Sequence, residues 1–192
     1  MHDLFFSLQK ELEPVLRAGD IIQCEKSVSE ALAVVPDSPF HSILHLSITN
    51  NPVEVASYFD DFFRREALRF EIAAAYTETN GFDINPGRWF FAPFAYVRYG
   101  GRDNYDWISD WQSDDYRDMT LTGLEPLQNV YASDAFGNEK FNEACTVTCL
   151  LVVIKFQDLI RRAAAHMKEL RFPLLATGHD FDFIYEVRKG SK

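Results

Sequence analysis

The chain has 192 residues, 47% of them hydrophobic and 25% charged, which excludes a disordered chain and fits one domain with a core that needs no staple. A formal net charge of −10 argues against a nucleic-acid backbone or an anionic membrane as partner and suits solubility or a basic partner. Three cysteines, Cys24, Cys145 and Cys149, cannot all pair, so no disulfide scaffold is indicated, and Cys145 and Cys149, one turn apart in an apolar run, read as inert packing.

Residues 2–18 predict an amphipathic helix carrying Leu4, Phe5, Leu8, Leu12, Val15 and Leu16, with Pro14 as a kink or end. Residues 21–34 predict a second, with Ile22, Val28, Ala31 and Leu32, so 1–36 forms an N-terminal helical pair stopped by Pro36. The N-terminus has no basic region before a long apolar run and reads as no signal peptide. The longest apolar run, CLLVVI, is too short for a bilayer, so the chain reads as cytoplasmic.

Leu44, Leu46 and Ile48 alternate with polar residues and predict a strand at 44–49. NNPVE then starts a helix: Asn51 caps, Pro52 takes the first helical position and Glu54 falls at the capping-box position. Val55, Phe59, Phe62 and Phe63 form its buried stripe, with Asp60, Asp61, Arg64 and Arg65 in water. Residues 68–78 alternate as a strand, Leu68, Phe70, Ile72, Ala74 and Tyr76 on one face and Arg69, Glu71 and Thr77 on a wet one. Residues 88–99 resume as a strand, which Pro93 places at an edge or bulge.

The stretch DNYDWISDWQSDDYRD, 103–118, predicts a helix, followed by a shorter one near 124–135. From 139 to 170 no Gly or Pro appears and a three-four spacing persists. That predicts one long central helix, although TVTCLLVVI also suits a strand. The end reads as a hairpin of 173–177 and 180–187 around a type II′ turn with Gly178 at its first central position, then a frayed basic tail, 188–192. The fold class is α+β: a single domain of about five mainly antiparallel strands packed on a long helix and the N-terminal helices.

The most distinctive chemistry lies in 103–118. On a helix, Asp103, Asp106, Asp110 and Asp114 share a face, flanked by Trp107 and Trp111. Six aspartates against one arginine leave −5 in 16 residues, half the net charge of the chain. Ion pairs from the chain's own arginines, among them Arg64, Arg65, Arg69, Arg88, Arg98 and Arg102, would answer that charge without function. Left unanswered, the stripe has the composition of a hot spot for a basic protein: steering charge beside rigid aromatic anchors.

Other motifs are weaker. Asp114, Asp115 and Asp118 have the DDxxD spacing of a diphosphate–Mg²⁺ motif but no second acidic helix to oppose them, and the calcium-loop pattern fails at Tyr105. His41 and His45 lack the glutamate of a zinc protease, and His179–Asp180 falls in a turn rather than on a helix. Glu71, Glu78, Asp180, Asp182 and Glu186 line the wet face of a sheet, where two carboxylates could act as acid and base. No GxSxG, GxGxxG or P-loop occurs, so neither a cofactor nor a metal site is indicated. The sequence therefore favours a non-enzymatic protein-binding or inhibitory, immunity-type module using Asp103, Asp106, Trp107, Asp110, Trp111 and Asp114. The alternatives are a metal-assisted hydrolase using surface carboxylates and His179, and a structural homo-oligomeric subunit.

Overall fold

The computed structural model describes residues 3–187, so the tail expected at 188–192 lies outside the described residues. Its helices are α1 (Asp3–Arg17), α2 (Ile21–Val34), α3 (Pro52–Ala67), α4 (Glu125–Tyr131) and α5 (Asn142–Ala164). Its strands are β1 (Ala74–Thr79), β2 (Phe90–Tyr96), β3 (Met119–Thr120), β4 (Leu174–Gly178) and β5 (Tyr185–Val187). They form one sheet in the order β3-β2-β1-β4-β5, in which β1 and β4 run parallel and the other three pairings are antiparallel. The α+β class and the long helix in the C-terminal half are as expected.

Local chemistry fixes the helices. Asp20 accepts a hydrogen bond from Gln23 N at 3.0 Å, and α2 turns Ile21, Cys24, Val28 and Leu32 inward. Asn51 caps α3 through Val53 N at 2.9 Å, with Pro52 at the first position. Pro14 stays inside α1. α5 is a helix through TVTCLLVVI. Leu150–Ile154 is an unbroken buried run on α5, so the helix is enclosed on all sides and serves as the spine of the core.

The helices cover one face of the sheet. Ala75, Phe91, Ala95, Leu174 and Ala176 point into that main core, while the alternating Ala74, Tyr76, Tyr96 and Leu175 point the other way, into a smaller cluster with Trp107 and Ile184.

Several expectations are corrected. The segment 44–49 is no strand: Pro39–His45 is a 3₁₀ turn behind Ser38, Phe40 and Ile43 are buried three apart, and the outer strand is Met119–Thr120. The strand expected at 68–78 starts only at Ala74, because Arg69 N and Phe70 N bond back to Glu66 O at the end of α3 and leave Leu68 89% exposed. Thr77 is not wet; its face is the helix-covered one, and its hydroxyl donates to Ala92 O at 2.9 Å. Asp60 is buried, accepting from Lys168 N and Glu169 N. That capture turns the chain after Ala164, so α5 stops short of residue 170. In the β4–β5 connection the turn runs from Gly178 to Phe181, and Asp180, with φ 62°, takes the left-handed position assigned to the glycine.

The largest correction concerns 103–118, which is not a helix. Only Asp106–Ser109 makes a 3₁₀ turn; the rest is irregular and crosses the second face of the sheet. Gln112 N bonds Ala95 O at 3.0 Å, and Ser113 Oγ accepts from Ala95 N at 3.1 Å, so the segment satisfies the edge of β2 beyond the short β3. A helix would have stacked like charges four apart. The open path instead sends Asp103, Asp110, Asp114 and Asp118 to four different guanidinium groups.

Candidate functional site

The 97–118 segment and the β4–β5 connection wall a cleft of about 620 Å³ on the second face of the sheet. Its floor is Tyr76, Phe94 and Tyr96 from β1 and β2, and its walls include Tyr105, Trp111, Phe181 and Ile184. Glu78, Asp106, Asp180 and Asp182 bring carboxylates to it; among the described residues, His179 is the only basic side chain on the lining, with no lysine or arginine.

Strand parity and parallel pairing place the central groups. Glu78 faces Thr177 across the β1–β4 ladder, and His179 leaves β4 one residue after it ends, held by its N–H to Thr79 O at 3.0 Å. Both side chains therefore emerge at the C-terminal ends of two parallel strands, where open sheets with parallel cores carry their ligands. Tyr76 Oη donates to Glu78 Oε2 at 2.6 Å, and His179 Nδ1 lies 3.1 Å from Glu78 Oε1. His179 Nε2 lies 3.7 Å from Asp180 Oδ2.

This arrangement sets the protonation chemistry. The hydrogen bond that His179 makes to the Glu78 carboxylate raises the pKa of His179 above its ordinary value, against a smaller opposing effect of burial. Burial, reinforced by the Glu78 charge, pushes the Tyr76 hydroxyl up, and burial does the same to Tyr96, whose hydroxyl donates to Ile108 O at 2.8 Å. The tyrosines are thus neutral donors, and the cleft is an anionic, aromatic-walled site with one titratable base. It can take a cation, and through His179 it can move a proton.

The residues expected to bind a partner are scattered. Asp103 lies 3.5 Å from Arg17 Nη1, Asp110 3.3 Å from Arg98 Nη2 and Asp114 2.9 Å from Arg69 Nη2. Asp118 pairs with Arg88. Trp107 is 7% exposed, edge-on to Tyr96 and Tyr99, and its indole N–H donates to Gly101 O at 3.1 Å. Gly100 makes room for that ring: a Cβ there would lie 2.2 Å from Trp107 Cδ1. Asp106 and Trp111 do reach the cleft, Trp111 50% exposed with its ring 5.3 Å from Phe94. The common helical face does not exist, and two of its six residues enter a different site.

Of the carboxylates expected on a wet sheet face, Glu78, Asp180 and Asp182 line the cleft, whereas Glu186 is buried beside Tyr99 and Arg102. Tyr76 and its link to Glu78 were missed; the signal was present in the alternation of positions 76 and 78, read as opposed to the wet face. His41 is a local cap, its Nδ1 accepting from Ser38 N at 3.2 Å. Among the described residues, no group of three or more His, Cys, Asp or Glu is arranged to hold a metal ion, and no helix is long and apolar enough to cross a membrane. Comparison of the chain with models of known protein families, with curated proteins and with solved structures finds no match in any of the three.

Proposed function

We propose that this chain is a non-enzymatic binding module of inhibitory, immunity type, acting in the cytoplasm, whose cleft receives a cationic side chain of a basic protein. The observation that carries the reading is the lining itself: four carboxylates and exposed aromatic surface, with no lysine or arginine among the described residues to neutralise them. A guanidinium entering there would meet Asp106, Asp180 or Asp182 as acceptors and the Trp111 and Phe94 rings as stacking faces. The net charge of −10 adds long-range attraction for a basic partner.

The test compares the wild-type chain with Asp180→Lys/Asp182→Lys and with Trp111→Ala. Wild-type chain should retain a basic protein from native lysate at low salt, release it as ionic strength rises, and block that protein's activity when the two are recombined. Both variants should lose retention while melting where the wild type does. Retention unchanged by the reversed charges would sink the proposal.

A second reading, a hydrolase, is favoured by one observation, the hydrogen-bonded chain Tyr76–Glu78–His179 opening into the same cleft. There His179 would move the proton while Glu78 holds its ring. Hydrolysis of an ester or glycoside panel that disappears in His179→Ala would support it over the binding module.

A further inference from the structure

Outside the cleft, Cys145 and Cys149, one turn apart on α5, meet the hydroxyl of Tyr131 at the end of α4. Tyr131 Oη lies 2.8 Å from Cys149 Sγ and 3.9 Å from Cys145 Sγ, so one hydroxyl bridges the two thiols. Both cysteines are partly exposed, while the Tyr131 ring is buried. Cys145 is the fourth residue of a helix of 23, near the end where the helix dipole favours an anion. Cys24 lies apart from this cluster: it is fully buried, its thiol 3.9 Å from Leu12 O.

Two fates suit a close pair of thiols, and helix geometry separates them. Side chains four apart on a helix have Cβ atoms about 5–6 Å apart. A disulfide needs roughly 3.5–4.5 Å. Two metal–sulfur bonds of about 2.3 Å span up to roughly 4.6 Å between sulfurs, so an ion fits where a covalent bond would require the turn to unwind. With only two thiolates converging, the ion must be soft and content with two ligands.

We propose that Cys145 and Cys149 form a two-coordinate site for a soft monovalent metal ion, copper(I) being the biologically relevant one. Binding replaces two S–H bonds by two S–Cu bonds and releases two protons, with no change of oxidation state. The resulting pair of thiolates around one positive charge is a net anion. The Tyr131 hydroxyl donates to the Cys149 sulfur and stabilises it, as an outer partner of the ligands. Asp83, whose charge disfavours both thiolates, works against it.

The experiment titrates copper(I), buffered by bicinchoninate without oxygen, into wild-type chain and into Cys24→Ser, Cys145→Ser, Cys149→Ser and Tyr131→Phe, each checked for folding by circular dichroism. Wild type and Cys24→Ser should each withdraw one ion per chain. Cys145→Ser and Cys149→Ser should each bind more than tenfold more weakly, and Tyr131→Phe should keep the stoichiometry with affinity lowered by about tenfold. Either serine variant binding as tightly as wild type overturns the site. A second measure needs no variant: silver(I) should protect Cys145 and Cys149 of the wild-type chain from iodoacetamide, read by peptide mass spectrometry. Absence of protection, or conversion of the two thiols to a disulfide by hydrogen peroxide with no copper uptake, also overturns it.

Discussion

His179 Nδ1 lies 3.1 Å from Glu78 Oε1, joining residues 101 apart in the chain at the end of the parallel β1–β4 pair. The hydrogen bond raises the pKa of His179 from its ordinary 6.5. A base whose pKa is higher in the folded chain stabilises the fold when protonated. That contribution is complete below the unfolded value and is lost as pH rises through the folded one. The melting temperature of wild type should therefore exceed that of His179→Gln by most below about pH 6.5, with the gap shrinking as pH rises beyond it. Because His179 is 44% exposed, solvent screens the pair and the gap will be small. A gap that stays constant with pH would show that the proton on His179 plays no part.

Trp107 and Trp111 lie four residues apart and should behave in opposite ways. Trp107 is sealed against Tyr96 and Tyr99, so Trp107→Ala should cost about 3–5 kcal/mol in urea unfolding, from lost burial and the cavity left behind. Trp111 is half exposed on the cleft wall, and Trp111→Ala should change stability by less than about 1 kcal/mol. Equal costs would mean that Trp111 is a core residue and that the cleft has no free aromatic wall.

What the sequence made legible was local. The Asn51 cap with Pro52 and the bounds of α2 follow from contacts within a few residues. What it hid depends on partners far along the chain. Asp60 looks like a surface carboxylate until Lys168 N, 108 residues later, is brought to it. The spacing of Asp103, Asp106, Asp110 and Asp114 fits a helix, yet three of the four are held by Arg17, Arg98 and Arg69, and no periodicity within the segment records those partners. The cleft was half visible for the same reason. Alternation could place Asp180 and Asp182 on one face, but only the parallel β1–β4 pairing brings Glu78 to His179.

Two carboxylates served by Arg69 separate a costly charge from a cheap one. Glu66 is fully buried and takes Arg65 Nε at 2.7 Å as well as Arg69, while Asp114 stays largely exposed on the other arm of Arg69. Glu66→Gln strips the buried charge and leaves two guanidinium groups short of a partner; the expected loss is about 3–5 kcal/mol. Asp114→Asn should cost less than about 1 kcal/mol, and that small loss should fade in high salt. Denaturant melts at two ionic strengths decide the matter. A large, salt-insensitive effect at Asp114 would mark the 103–118 segment as structurally essential.

The crossing that replaces the expected strand at 44–49 turns on Gly123. Thr49 N donates to Thr122 O at 2.9 Å and the two threonine hydroxyls meet at 2.9 Å, so this segment and the chain entering α4 lie side by side. Gly123 has φ +94°, and a Cβ there would sit 2.2 Å from Ser47 O, a backbone atom that cannot swing aside. Gly123→Ala thus adds left-handed strain, worth about 1–3 kcal/mol alone, to a clash that must push the segments apart. The expected result is a loss of more than about 2 kcal/mol in urea unfolding, with faster amide exchange at Thr49 and Thr122 as their contact opens. By contrast Gly87, where a Cβ would meet nothing and φ is ordinary, should accept alanine with little change. If Gly123→Ala were as mild as Gly87→Ala, the two segments would not be in contact and the packing of residues 46–49 would have to be redrawn.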